Sequence, residues 1–281
     1  MTLDVVLTGT AFPNPNAERA GPGTLVRCGS TALQFDAGRA TTMRLVAAGT
    51  PAVALTALFM THHHSDHTVG IPDLVMSRWG FGAQGFIGPP RPVVAPEGPS
   101  ARFAQRCLDP WDDDIAVRLE HLETDISPTI ELTTFVPSAT PSEMWTHEGV
   151  TVSSVLVHHE PVVPAVGYRV DTPDGSVVVS GDTNACDEME ELARGADVLV
   201  HEAMLDRLWQ SLGGQRLAAY HTNAIALGGI AKRAEVTTLM LTHLMPSPQN
   251  ELHEENFVND IRAGGFEGEV IVGRDLSTCT F

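Results

Sequence analysis

The stretch Thr61-His-His-His-Ser-Asp-His67 places four histidines and one aspartate within seven positions. It follows the apolar run Leu55-Thr-Ala-Leu-Phe-Met60, whose composition is typical of a buried strand. His62 and His64 are two residues apart, so an extended backbone directs both imidazoles to the same side. A carboxylate and a further imidazole follow where the chain must turn toward a helix. The stretch therefore predicts a metal site at a strand end, because imidazole and carboxylate suit zinc and also manganese or iron.

Three other predicted strands end in the same kinds of side chain. Open α/β sheets place their ligands at the carboxyl ends of strands, so we expect these side chains to share one cavity with the histidine cluster. The apolar runs 151–157, 176–180 and 238–242 are followed by His158-His159, by Gly181-Asp182-Thr183 and by His243, respectively.

The composition indicates a folded protein of the cytoplasm. Of the 281 residues, 43% are hydrophobic, which is enough for a sizeable core. No apolar run approaches the roughly 20 residues that a membrane-spanning helix needs. The four cysteines are scattered and form no CxxC pair, which argues against a disulfide framework and against a cysteine zinc site. No stretch is typical of an interdomain linker, so one domain over residues 1–281 is predicted.

Short β-rich runs alternate with helical stretches, which predicts an α/β fold with sheets buried under helices. Segment 80–99, rich in glycine and proline, is predicted as loops around a short strand. Segment 127–148, which contains Pro128, Pro137 and Pro141, is predicted as a long surface loop that acts as a lid over the site. The predicted strands are 2–8, 31–36, 55–61, 92–95, 150–157, 166–171, 176–180, 197–201, 238–242 and 269–272. The predicted helices are 39–48, 68–79, 99–108, 187–194, 203–211, 222–234 and 250–263.

The ordered set of HxHxDH, a later histidine, GDT and a late THL resembles the metallo-β-lactamase superfamily over nearly the whole chain. The resemblance implies a four-layer αββα sandwich and a hydrolase with two divalent metal ions, zinc being the first expectation. His159 is preferred to His158, because the segment from His159 to Tyr168 resembles the "H…P…GYR" stretch of that superfamily. By the same resemblance His62, His64 and His159 hold one ion, Asp66, His67 and His243 hold the other, and Asp182 bridges them together with a hydroxide.

A closer resemblance is to the ribonuclease Z branch. It rests on His201-Glu-Ala203, on His221-Thr222 at a predicted helix start and on Leu241-Thr-His243, with support from Gly9–Pro13 and Phe35–Gly38. The branch implies that His221 is a general acid and that Glu202 orients it. In the two-metal mechanism itself, Asp66 is expected both to bind a metal and to orient the attacking hydroxide. Another interpretation is that Thr222 or Asn223 caps the helix and His221 is merely a neighbour.

Two features favour a small-molecule substrate over tRNA. Only 22 residues separate His159 from Asp182, which leaves no room for the tRNA-gripping arm usual in that branch. The formal charge is −18, which repels a polyanion. We therefore predict a hydrolase of small esters, lactones or phosphodiesters, with nucleic acid and membrane partners unlikely and homodimerisation implied by the family. The alternatives are a ribonuclease Z-type endonuclease that processes tRNA 3′ ends and, less favoured because every ligand is retained, a catalytically inactive scaffold.

Overall fold

The computed structural model describes residues 2–83, 92–205 and 219–281, which form two seven-stranded sheets. The strand order is β14-β1-β2-β3-β4-β5-β6 in the first sheet and β13-β12-β11-β10-β9-β8-β7 in the second. The first sheet comprises β1 (Leu3–Gly9), β2 (Gly23–Cys28), β3 (Thr31–Phe35), β4 (Ala57–Phe59), β5 (Pro92–Pro96), β6 (Glu131–Phe135) and β14 (Thr278–Thr280). The second comprises β7 (Ser142–His147), β8 (Val150–Leu156), β9 (Val166–Thr172), β10 (Gly175–Val179), β11 (Val198–Met204), β12 (Thr238–Met245) and β13 (Glu269–Val272).

Helices cover the outer face of each sheet. Strand β10 shows the consequence for a central strand: Val177 and Val179 pack between the two sheets, whereas Val178 packs under the outer helices. Both faces of such a strand are buried, so its sequence is continuously apolar. The described helices are α1 (Thr41–Ala47), α2 (Ser65–Thr68), α3 (Ile71–Ala83), α4 (Pro99–Arg106), α5 (Asp112–His121), α6 (Asp187–Ala193), α7 (Ala224–Arg233) and α8 (Glu251–Ala263), with short 3-10 turns at Ala52–Ala54 and Asp109–Trp111.

The two sheets meet in an aromatic core. Phe35 and Phe59 of the first sheet stack with ring centroids 5.0 Å apart, and Tyr168 of the second sheet lies 5.5 Å from each of them. The Tyr168 hydroxyl donates a hydrogen bond of 2.7 Å to the carbonyl oxygen of Met60, just before the histidine cluster. This bond fixes the end of β4 against the opposite sheet. The predicted αββα sandwich is confirmed.

Parallel pairing brings the functional strand ends together. Strands β3, β4, β5 and β6 run parallel, and so do β10, β11, β12 and β13. Strand β8 runs in the same direction as β10, since both are antiparallel to β9. The carboxyl ends of β8, β10, β11 and β12 therefore lie at one edge of the second sheet, and the proximity of His62 to Asp182 shows that the end of β4 lies at the same edge of the sandwich.

Some predicted elements differ from the structure. Segment 127–148, predicted as a loop and lid, carries strands β6 and β7, and its Trp145 packs edge-on against Phe59 at 5.6 Å in the core. Strand β6 lies at a sheet edge and is largely exposed, so it lacks the apolar pattern of a buried strand. Of the predicted helix 203–211, residues 203 and 204 end β11 and residues 206–211 lie outside the described part of the chain. Helix α5 and strands β2, β7 and β14 were also not predicted.

Two further expectations concern the chain as a whole. None of the helices within residues 2–83, 92–205 and 219–281 is long and apolar enough to cross a membrane. The division into one domain over residues 1–281 stays a prediction.

Candidate metal centre and active site

The segment after β4 supplies four side chains to one cluster. His62 and His64 lie on extended backbone, and the short helix α2 then carries Asp66 and His67 on its first turn. Thr68 ties this turn to the extended part, because its hydroxyl donates to the carbonyl oxygen of His64 at 3.0 Å. His62, Asp66 and His67 are buried, and His64 is half-buried. Because the backbone changes from extended to helical, His62 and His64 can face one group of ligand atoms while Asp66 and His67 face a second group.

The first group of possible ligands comprises His62, His64, His159 and Asp182. Its ligand atoms lie within 4.8 Å of one another. His159 Nε2 is 3.3 Å from His64 Nδ1 and 3.9 Å from Asp182 Oδ2. His62 Nε2 is 3.8 Å from the same Asp182 oxygen. The loop after β8 thus adds its histidine to the pair that follows β4.

A second group comprises Asp66, His67 and His243, again with Asp182 beside it. His67 Nε2 and His243 Nε2 each lie 3.3 Å from Asp182 Oδ2. They lie 3.6 Å and 3.4 Å from Asp66 Oδ2, respectively. Asp182 therefore stands between the two groups. His243 lies within β12 rather than after it, at a residue with the left-handed φ of 44°.

The atoms that converge here suit divalent cations. Buried polar atoms normally have partners, yet several atoms of this cluster have no hydrogen-bond partner among the described residues. An array of imidazole nitrogens and carboxylate oxygens is a common ligand set for zinc, manganese and iron. The unpartnered atoms are His62 Nε2, Asp66 Oδ2, His67 Nε2, Asp182 Oδ1 and His243 Nε2.

Electrostatics favours the same interpretation. Burial lowers the pKa of His62 well below its ordinary value and that of His64 to about 4, so both imidazoles are neutral at pH 7. Burial opposes ionisation of Asp182, but the neighbouring His243 and His67 outweigh it and hold the pKa of the carboxyl well below its usual range. Metal ligation requires such neutral imidazoles and an ionised carboxylate.

Residues behind the cluster fix its orientation. Asp36 accepts hydrogen bonds from Thr61 N at 2.8 Å, from Thr61 Oγ1 at 2.7 Å and from His67 Nδ1 at 2.8 Å, which leaves His67 Nε2 directed at the cluster. His159 Nδ1 likewise donates to the carbonyl oxygen of Tyr220 at 3.1 Å. Such outer hydrogen bonds set the tautomer and ring orientation of metal-binding histidines. Asp36 belonged to a motif noted in the sequence, but nothing there assigned it this contact.

Gly181 allows the close approach that brings Asp182 to the cluster. Its φ is +61°, and a Cβ atom at this position would lie 2.8 Å from Cβ of Thr61. The GDT stretch therefore requires glycine for backbone conformation as well as for space.

His221 and Glu202 form a buried pair beside the second group. His221 Nδ1 lies 2.9 Å and 2.8 Å from the two carboxylate oxygens of Glu202. Glu202, completely buried at the end of β11, also accepts the backbone N–H of Thr183 at 2.8 Å. The His221 ring lies 5.5 Å from that of His243 at an angle of 23°, and a ring nitrogen falls within 4.8 Å of Asp182.

The capping interpretation accounts for Asn223 but not for His221. Asn223 is the N-cap of α7, and its side chain accepts from Ala226 N at 2.8 Å. His221 instead contacts Glu202. Burial lowers the pKa of His221 and raises that of Glu202 well above its ordinary value.

The histidines next to the cluster lie elsewhere. The His158 side chain is 52% exposed and lies 3.6 Å from Glu160 and 3.4 Å from Glu188, whereas His159 is buried within the first group. His63 is half-buried and belongs to neither group. Of the two neighbouring histidines, the structure thus brings the preferred one into the site.

Comparisons with known proteins agree with this geometry. The family model described as a beta-lactamase superfamily domain matches residues 29–244. A protein of Mycobacterium bovis (strain BCG / Pasteur 1173P2) named "Ribonuclease Z" is 35% identical over 280 residues, covering 98% of this chain and 96% of its own. The chain belongs to the ribonuclease Z family of the metallo-β-lactamase superfamily. Another "Ribonuclease Z", of Mycobacterium sp. (strain KMS), is 38% identical over 248 residues, covering 87% and 85% of the two chains.

Solved structures support the fold. The metallo-β-lactamase fold protein YhfI from Bacillus subtilis has a TM-score of 0.78 at 21% identity, covering all of both chains. The short form of human tRNase Z has a TM-score of 0.70 at 21% identity, covering 98% of each chain. Both similarities concern the fold alone. Family membership and the His/Asp cluster together make this a site for divalent metal ions and the protein a metal-dependent hydrolase.

The predictions of a small-molecule substrate and of an unlikely nucleic-acid partner are wrong. Relatives named "Ribonuclease Z" align over nearly the whole chain, and a tRNase Z shares its fold. The argument from the missing arm fails because the aligned span fills 96% of the Mycobacterium bovis protein, which therefore has little room for a long arm of its own. The argument from the charge of −18 fails because a net charge does not determine the local field at a cleft.

Proposed function

We propose that the protein is a ribonuclease Z-type endonuclease that cleaves 3′-extended precursor tRNA. Family membership supports a ribonuclease, and relatives 34% to 38% identical bear that name. The observation that carries the proposal is the His221–Glu202 pair next to two groups of metal ligands. A phosphodiester with an alcohol leaving group needs both charge neutralisation and a proton donor, and this site offers both.

The two groups would each hold one divalent ion, with zinc as the proposed metal. Bound there, the ions would lower the pKa of a coordinated water and neutralise developing charge on the phosphate. Asp66 has its Oδ2 among the unpartnered atoms, so it can accept a hydrogen bond from the attacking water and orient it. The first ion would be held by His62, His64 and His159, the second by Asp66, His67 and His243, and both by Asp182.

His221 would donate the proton to the leaving oxygen. Its Nδ1–H points at Glu202, so the proton for the substrate comes from Nε2 of the imidazolium. Glu202 holds the ring in place and stabilises its charged form. Because burial lowers the pKa of His221, the imidazolium is a stronger acid than an exposed one. Thr183 N–H donates to Glu202 at 2.8 Å, and the Thr222 hydroxyl donates to the Thr183 carbonyl at 2.7 Å. These two bonds connect Glu202 and the segment that carries His221 to the loop that carries Asp182.

Cleavage of a 3′-extended precursor tRNA tests the proposal. The metal-loaded protein is expected to cut at the 3′ junction, and the Asp182→Ala variant is expected to lose both bound metal and activity. Protein shown to hold two ions per chain that leaves the precursor intact at moderate salt would refute the tRNA assignment.

A further inference from the structure

Most arginines of this acidic chain are already engaged with carboxylates. Nine arginines among the described residues have a carboxylate oxygen within 3.8 Å. Each such pair is locally close to neutral and offers little attraction to an RNA phosphate. A polyanion is therefore expected to bind where arginine or lysine side chains have no carboxylate partner. The paired residues are Arg19, Arg27, Arg44, Arg106, Arg118, Arg169, Arg194, Arg233 and Arg274.

Arg39 is exposed and lies beside the Asp66 turn. The preceding Gly38 packs so closely there that a Cβ atom would come within 2.4 Å of the carbonyl oxygen of Asp66. The Arg39 carbonyl accepts from Gly21 N at 3.0 Å, which fixes the backbone. Its guanidinium donates to the carbonyl oxygen of Pro13 at 2.9 Å, and no carboxylate within the described residues forms an ion pair with it. A backbone carbonyl orients the guanidinium without neutralising it.

Arg102 is exposed on helix α4, which follows β5, whereas Arg39 follows β3; these two strands lie on either side of β4. Helix α4 starts just after β5, and β5 pairs in parallel with β4, the strand that leads to His62. The start of the helix at Gly98 also faces Pro164 of the loop that follows His159. Within the described part of the chain, Arg102 has no ion-pair partner.

We propose that Arg39 and Arg102 bind RNA backbone phosphates on the two sides of the scissile phosphate. This inference rests on the proposed function. Arg39 follows the glycine that packs on the Asp66 turn, and Arg102 lies in the helix after β5, the neighbour of the strand that leads to His62, so an RNA strand that crosses the cluster would pass both. A guanidinium matches two phosphate oxygens at once and stays charged at all relevant pH values. The acidic surface elsewhere repels RNA and thereby favours this path.

The test replaces each arginine and measures the dependence on salt. In Arg39→Gln and in Arg102→Gln, kcat/KM for a 3′-extended precursor tRNA is expected to fall several-fold at low salt. The slope of log(kcat/KM) against log[salt] should become shallower by roughly 0.7–0.9 for each arginine, and by about twice that in the double variant. Arg39→Lys should retain most of the slope, since it keeps the charge. Hydrolysis of bis(4-nitrophenyl) phosphate, which has no flanking phosphates, should be unchanged.

Lys232→Gln is the matched control. Lys232 is exposed, has no ion pair within the described residues and lies in the last turn of α7, roughly 12 Å along the helix from its start near His221. Slopes in the arginine variants equal to that of Lys232→Gln would overturn the proposal while leaving the nuclease function intact. Binding of mature tRNA, measured by fluorescence anisotropy over the same salt series, tests the arginines separately from cleavage. Unchanged slopes there would overturn the phosphate contacts even if the protein cut no precursor.

Discussion

Replacing His221 with asparagine separates proton donation from every structural role of this residue. The asparagine amide nitrogen can take the place of Nδ1 and still donate to Glu202, which accepts from His221 at 2.8 and 2.9 Å. Nothing then occupies the position of Nε2, so the leaving oxygen has no proton donor. We expect the variant to fold, to bind two metal ions and to be slow.

The expected loss follows from the role. General acid catalysis contributes about 10²- to 10⁴-fold, so kcat for precursor tRNA should fall by that factor, or about 2.7–5.5 kcal/mol in activation free energy. His221→Ala should also destabilise the protein, because among the described residues the buried Glu202 carboxylate then keeps only the Thr183 N–H donor at 2.8 Å. Loss of a donor to such a buried group costs about 1–3 kcal/mol.

The assay compares two leaving groups. An RNA alcohol needs a proton, whereas 4-nitrophenolate leaves without one, so His221→Asn should slow bis(4-nitrophenyl) phosphate hydrolysis far less than RNA cleavage. His158→Asn makes the same change at an exposed histidine beside the site and should alter neither rate. The structure also groups His221 with Asp182 and His243 as possible ligands of one ion. If His221→Asn binds one ion fewer, as expected of His243→Asn, then His221 is a ligand and the reasoning is refuted.

Three more changes test the surroundings of the site. Asp36→Asn presents amide hydrogens to His67 Nδ1, which favours the tautomer that carries its proton on Nε2 and cannot bind a metal through that nitrogen. Metal affinity, measured by competition with a chelator, should fall about 10- to 100-fold. An unchanged affinity would show that Asp36 does not orient His67. Removing the metal with a chelator should lower Tm in scanning fluorimetry, because it leaves buried carboxylates and imidazoles without partners, and added Zn²⁺ should restore Tm. A Tm that does not change with metal would argue against the two ligand groups. Burial lowers the pKa of His201 from 6.5 to about 4, and its Nδ1–H donates to the Glu202 carbonyl at 2.7 Å, a bond that asparagine can retain. Between pH 6.5 and 4 this histidine is protonated in the unfolded chain but remains neutral in the folded chain. The free energy of unfolding therefore decreases by up to about 3 kcal/mol as the pH is lowered from 6.5 to 4. His201→Asn should remove this part of the pH dependence, measured by urea titrations. Identical slopes in both proteins would contradict the assignment.

Periodicity predicted the central strands well because these strands are buried on both faces. The runs of β10 and β12 are mostly apolar and almost wholly buried, whereas β8 intersperses its apolar residues with serine and threonine; a polar ligand follows or interrupts each of the three. The edge strands escaped prediction for the opposite reason. Strand β7 is half-exposed and mixes polar with apolar residues, so a single sequence does not distinguish it from a loop.

The candidate ligands could be found in the sequence, since their spacing at strand ends is dictated by the chemistry of two ions. Their supports could not. Asp36 contacts His67 across 31 positions, and Tyr220 contacts His159 across 61. Such contacts depend on which strands become neighbours in a sheet and on where the segments after them lie, which no local pattern encodes.

The error about the substrate came from treating charge as a property of the whole chain. Surface charges act over a Debye length of about 8–10 Å at physiological salt, so acidic residues farther away contribute little at the cleft. Asp112, Asp113 and Asp114 contribute to the net charge of −18 but lie in the first turn of α5, a helix that supplies no side chain to the cluster. Near the cleft, Asp66 and Asp182 lie among imidazoles, and Arg39 and Arg102 flank them without carboxylate partners in the described residues. Two bound divalent ions would add four positive charges at the same place, so the local field would attract the phosphate that the net charge repels.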